Sequence, residues 1–193
     1  MAAGVCMPAS ESSDSPLDAL QAQLSEKRNF DNPPLEKWHP ALSGNIDILI
    51  TADGHWWHEG SPIERPEIVR LFASILRREE DGGYYLVTPG EKWRLQVEAH
   101  ALLITEIDRQ GDNLVATLNT GKQVVLDGEH GLFLDKERDG VAGMYLDHGL
   151  TALCSRAAWY RLVDMAEGKD LLLRSGDASW SLVGKAFMGL TVE

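Results

Sequence analysis

The chain has 193 residues, 44% hydrophobic and 25% charged, an ordinary globular balance with room for one large domain or two small ones. With 30 Asp and Glu against 18 Lys and Arg the formal net charge is −12, and no basic run is present to meet a phosphate backbone, so duplex nucleic acid is not an expected partner. No stretch approaches the roughly 18–20 apolar residues of a membrane span, and Met1–Ser15 lacks the basic start and apolar run of an export signal, so the expected location is cytoplasmic.

In chain order, residues 1–16 read as a disordered leader rich in Ala, Ser and acid. Residues 17–98 read as an N-terminal α+β module with a docking arm, and residues 99–193 as a β-rich C-terminal α+β module. An amphipathic helix is expected from Pro16 to Lys27, with Leu17, Leu20 and Leu24 on one face and Ser15 as its cap. Pro33, Pro34 and Pro40 keep the next stretch extended, and Leu35 and Trp38 are its expected docking points.

The first module opens with Ile46, Ile48 and Ile50 alternating as in a strand. Asp53-Gly54 is a hairpin turn and Trp56–His58 the return strand. Pro66 suits the first turn of a helix, and Ile68, Leu71, Phe72, Ile75 and Leu76 follow at helical spacing. Tyr84–Thr88 and Trp93–Val97 form a second hairpin. A meander is expected next, with strands at 102–108, 114–119, 123–126 and 132–134 between Asp/Asn/Gly turns. A second hairpin–helix–hairpin series then runs from Met144, with Asp147-His148-Gly149 as a turn and Ser155 capping a helix. Leu86, Trp93 and Leu95 match Leu173, Trp180 and Leu182 at a constant offset, which suggests an internal duplication. The expected fold is therefore α+β, with two related β-hairpin–helix–hairpin modules and antiparallel sheets.

Two cysteines, Cys6 and Cys154, build neither a disulfide framework nor a zinc site by themselves. His55-Trp56-Trp57-His58-Glu59 invites a metal, but residues three apart on a strand point to opposite faces, so no metal site is assigned. Phosphate-binding glycine loops and the nucleophile elbow are absent from the sequence. No catalytic residue and no cofactor follow from the residues.

Thr88-Pro89-Gly90-Glu91-Lys92-Trp93-Arg94 places a hydroxyl, two cations and an indole at one turn, a set that can stack a base and neutralise a phosphate. The plainer alternative is a hairpin with Trp93 in the core and solvated Lys92 and Arg94. Arg65, just before the helix, can face an anion or simply pair with Glu64 or Glu67.

Three runs, Asp53–Arg65, Leu71–Arg78 and Tyr84–Arg94, resemble the bacterial domain-of-unknown-function family 1285, over roughly residues 30–190. The resemblance implies a duplicated two-domain α+β fold with a C-terminal half loosely like pleckstrin-homology domains. It also implies a nucleotide-like ligand at the domain interface and a role in signal transduction. Joined to the residues above, it gives an expected ligand-binding set of Trp57, His58, Arg65, Thr88, Lys92, Trp93 and Arg94. The leading expectation is a ligand-binding or signalling module for a small anionic or nucleotide-like molecule. The alternatives are a protein-interaction module without a small ligand and, third, a hydrolase of a nucleotide-like substrate using His58 or Glu59.

Overall fold

A computed structural model describes residues 33–183. The leader and the helix expected over Pro16–Lys27 lie outside the described residues.

The N-terminal sheet starts with β1 (Leu42–Ile50), whose alternating isoleucines bury one face. Gly54, at φ 80°, closes the turn by donating its N–H to Thr51 O at 2.9 Å. β2 (Trp56–His58) returns antiparallel, pairing Trp56 with Ile50 and His58 with Ile48, and β3 (Ser61–Pro62) adds an edge. Helix α1 (Pro66–Ser74) follows, with Pro66 in its first turn and Phe72 fully buried against Trp56. β4 (Leu76–Arg78), β5 (Tyr84–Val87) and β6 (Lys92–Val97) complete the sheet.

The C-terminal sheet is made by β7 (Leu102–Gln110), β8 (Asn113–Leu118), β9 (Gln123–Val125), β10 (Leu132–Asp135), β11 (Val141–Tyr145) and β12 (Thr151–Cys154). Ser155 then caps α2 (Arg156–Met165) by accepting from Ala158 N at 3.2 Å. β13 (Leu172–Ser175) and β14 (Ala178–Ser181) form a separate two-stranded sheet.

The two large sheets have one strand order. The first runs β3-β2-β1-β6-β5-β4 and the second β9-β8-β7-β12-β11-β10. In each, two three-stranded meanders meet through their first and last strands, and that central pair is parallel. The helices break the correspondence, since α1 lies between β3 and β4 whereas α2 follows β12.

Three expectations are corrected. The sheets are mixed rather than antiparallel, because β1–β6 and β7–β12 run parallel. The repeat relates the two six-stranded sheets and not two hairpin–helix–hairpin series. Leu86 does face Trp93 and Leu173 does face Trp180 across their hairpins, but only the first pair belongs to a large sheet. Finally, α1 stops at Ser74. Ile75 leaves the helical region at φ −109° and ψ 9°, its carbonyl accepts from Val87 N at 2.9 Å, and Leu76 joins the sheet. Ile75 in the turn and Leu76 in the strand are buried just as a longer helix would have buried them, so hydrophobic spacing does not separate the two outcomes.

Candidate functional site

The two domains close on a cavity of about 530 Å³, within the range of small-molecule sites. From the N-terminal domain come Pro33, Leu76 at the start of β4, and the C-terminal half of α1. Arg70, Ala73 and Ser74 stand at i, i+3 and i+4 there and so share one flank of the helix. From the C-terminal domain come Leu102, Leu118, the Thr120–Lys122 turn and the Leu146–Leu150 turn.

The last turn is shaped by two consecutive left-handed residues, His148 (φ 57°) and Gly149 (φ 72°). Gly149 packs so tightly on the N-terminal domain that a Cβ there would lie 2.8 Å from Arg78 O. Only glycine combines this backbone angle with this approach.

The floor is apolar and buried, and the rim is ionic. Asp147 receives His130 Nε2 at 3.2 Å on one oxygen and Lys122 Nζ at 3.7 Å on the other, while His130 Nδ1 lies 3.3 Å from Asp127. Partial burial works to raise the Asp147 carboxyl. The His130 hydrogen bond and charge, with Lys122 and His148, outweigh it and hold the carboxyl below its ordinary range. Arg70 is exposed and has no hydrogen-bond or ion-pair partner among the described residues.

None of the seven residues expected from the sequence lines this cavity. Four sit on the β5–β6 hairpin. The Thr88 hydroxyl is buried and used within the turn, accepting from Glu91 N at 3.1 Å. Lys92 Nζ is bound by both Glu79 oxygens, at 3.1 and 3.0 Å. Trp93 packs over Gly44 and donates Nε1 to Glu91 at 3.4 Å. Arg94 is exposed beside Tyr85. Trp57 and His58 lie on β2, across β1 from that hairpin, with Glu59 in the turn that follows. Arg65 stands at the N-cap position of α1, about 7.5 Å along the helix from Arg70, the first cavity residue on it.

The residues that do gather there escaped the reading because each is ordinary in its own segment. The clearest signal was Asp147-His148-Gly149, a charged turn needing two left-handed residues.

A second polar cluster lies on the C-terminal sheet. His100, in the link between the sheets, sets Nδ1 at 2.8 Å from Thr151 Oγ1 and Nε2 at 3.0 Å from Asp135 Oδ2. The order resembles a hydroxyl–imidazole–carboxylate relay. Thr151 is only 8% exposed, however, and Asp135 also receives Glu137 N, so the cluster latches the interdomain link onto β10 and β12. The His100 hydrogen bond lowers the Asp135 carboxyl, against a smaller opposing effect of burial.

Comparison with known proteins agrees with this two-domain architecture. Residues 33–100 match the model described as "Domain of unknown function (DUF1285), N-terminal domain", and residues 101–182 match "Protein of unknown function (DUF1285), C-terminal domain". A DUF1285 family crystal structure from Silicibacter pomeroyi DSS-3 is similar at 33% identity, over 84% of this chain and 93% of that one, with a TM-score of 0.74. Another from Shewanella baltica OS155 is similar at 31% identity, over 62% of this chain and 91% of that one, with a TM-score of 0.50. No curated protein matches. Among the described residues no helix is long and apolar enough to cross a membrane. With both halves matched in order and a solved relative at one-third identity, the chain belongs to the DUF1285 family.

Proposed function

We propose that this protein is a non-catalytic ligand-binding module of signalling type, which takes a small anion in the cleft between its two domains. The observation that carries the reading is a cavity of about 530 Å³ closed jointly by both domains, with Arg70 unpaired at its rim. A ligand held by both walls favours the closed arrangement of the domains, and that differential affinity is what a sensor requires.

The test is a thermal-shift screen of the full chain against anionic metabolites. A ligand at 100 times its dissociation constant adds about 2.7 kcal/mol to the native state. The shift is expected to vanish in Arg70→Ala while the apo midpoint stays put. No shift across the panel, with the fold intact, rejects the cleft as a ligand site.

A second reading, a protein-interaction module with a pleckstrin-homology-like C-terminal half, is favoured by Tyr145 and Tyr160, which are 53% and 57% exposed. A protein partner whose binding survives Arg70→Ala but not Tyr145→Ala supports it.

A further inference from the structure

We propose that the anion taken in the cleft is an amphiphile, a single carboxylate or phosphate head on a flexible aliphatic chain, and not a nucleotide; this rests on the reading of the cleft as the ligand site. The cavity wall is graded. Leu76, Leu102, Leu118 and Leu150 line its depth at 0%, 5%, 2% and 6% exposure, and their side chains offer no hydrogen-bonding atom. The charged groups stand at the exposed mouth, where Lys122 and Asp147 keep 53% and 55% of their side-chain surface in solvent. A ligand that matches this gradient carries its charge at one end and no polar atom at the other.

A nucleobase matches it poorly. Ring nitrogens and exocyclic groups set against Leu76, Leu102, Leu118 and Leu150 would meet no partner there, and each polar group left unpaired on leaving water weakens binding. Among the described residues no Trp, Tyr or Phe lines the cavity to stack a base, and the one ring present is the half-buried His148. The Ser74 hydroxyl already donates to Leu71 O at 2.7 Å.

The mouth also sets the charge of the head. Arg70 and Lys122 face one carboxylate, Asp147, and Asp147 is already bound by His130. One positive charge is left in excess, which suits an anionic head, a carboxylate at one charge or a phosphate at about two. Arg70 is free to make the bidentate pair that a carboxylate or phosphate accepts.

The experiment is calorimetric titration of the full chain with hexanoate, octanoate, decanoate and the matching alkyl phosphates, below their micelle thresholds, and with AMP and ATP. The expected result is binding that tightens roughly fourfold for each added methylene until the cavity is full. Arg70→Ala should weaken every member by about tenfold without changing that slope. Ala73→Phe, which narrows the cavity from the solvent-accessible helix flank, should shorten the longest chain accepted. Acyl binding that ignores chain length or Arg70 overturns the proposal. Binding of AMP or ATP with none of the acyl series also overturns it and leaves the cleft a ligand site. Silence from both series, with the fold intact, overturns the cleft reading itself.

Discussion

Arg77, Glu79 and Lys92 on one side of the N-terminal domain, and Arg70, Lys122 and Asp147 at the cleft, are two clusters of the same composition, two cations and one carboxylate. In the first the Glu79 carboxylate bridges both cations, and Arg77 spends Nη1 on Leu35 O and Trp38 O at 3.1 and 3.0 Å. That cluster fastens the proline-rich arm to the sheet, and its one donor without a partner, Arg77 Nε, is buried within it. In the second, Lys122 reaches Asp147 only at 3.7 Å and Arg70 reaches nothing among the described residues. Charges that are enclosed and fully paired hold architecture together. A charge left open above an apolar cavity is available to something from outside. Lys92, expected from the sequence as a ligand contact, is paired with Glu79, and Arg70, which the sequence did not single out, stands at the cavity, because pairing is a property of the fold and not of the residue type.

The comparison breaks most violently if the domains are prised apart. Gly149→Val should cost more than any other change considered, since the left-handed backbone alone costs about 1–3 kcal/mol for a branched residue and the Cβ also meets Arg78 O. Chemical denaturation reads the loss, and ligand binding should fall with it.

Glu79→Gln comes next, at about 2 kcal/mol, because it removes the carboxylate that bridges two largely enclosed cations. A loss below about 0.5 kcal/mol would show that the cluster is not the fastening described.

A third, smaller effect depends on pH. The Asp135 carboxyl lies below its ordinary value of 3.8 in the folded protein. Its contribution is therefore complete above that value and disappears as pH falls through the lower, folded one. Asp135→Asn should be less stable than the parent at neutral pH by about 1 kcal/mol, and the gap should close on acidification. Denaturation midpoints of both proteins across the acid range measure it. A gap that stays constant as the pH falls across the acid range contradicts the sign.

The smallest effect is expected at Arg70→Ala, within about 0.5 kcal/mol of the parent, as befits an exposed side chain with nothing to lose. The contrast between Glu79 and Arg70 is the sharpest form of the comparison.

Local features were legible in the residues, long-range ones were not. Asp53-Gly54, Pro66 and Ser155 each carry a turn or cap chemistry that acts within a few residues, and the hairpin and both helix starts fall where these residues put them. The strands of residues 102–135 were marked in the same way by their Asp, Asn and Gly turns. The parallel seam between β1 and β6 has no such marker, because its partners meet only after the intervening strands have folded back. Nor did the cleft, whose lining comes from the arm, α1, β4, β7, β8 and two turns, with no two of these segments forming a motif. The seven expected residues lie in short runs, and a short run marks a hairpin but carries no sign of a cavity assembled across domains.

The seam has a consequence for the order in which the molecule comes together. Each meander closes through neighbouring strands and can form on the microsecond scale of hairpins. Leu42 meets Lys92, and Leu102 meets Ala152, about 50 residues apart in both domains, so each seam must await the larger loop-closure entropy. A nascent chain ending before Lys92 would hold one complete meander and one lacking its last strand, exposing the edges of β1 and β5 that β6 covers. The last strand of each six-stranded sheet thus acts as its lock: shortening from the C-terminal side removes the middle of the sheet rather than its margin, at once in the N-terminal domain and after α2, β13 and β14 in the C-terminal one.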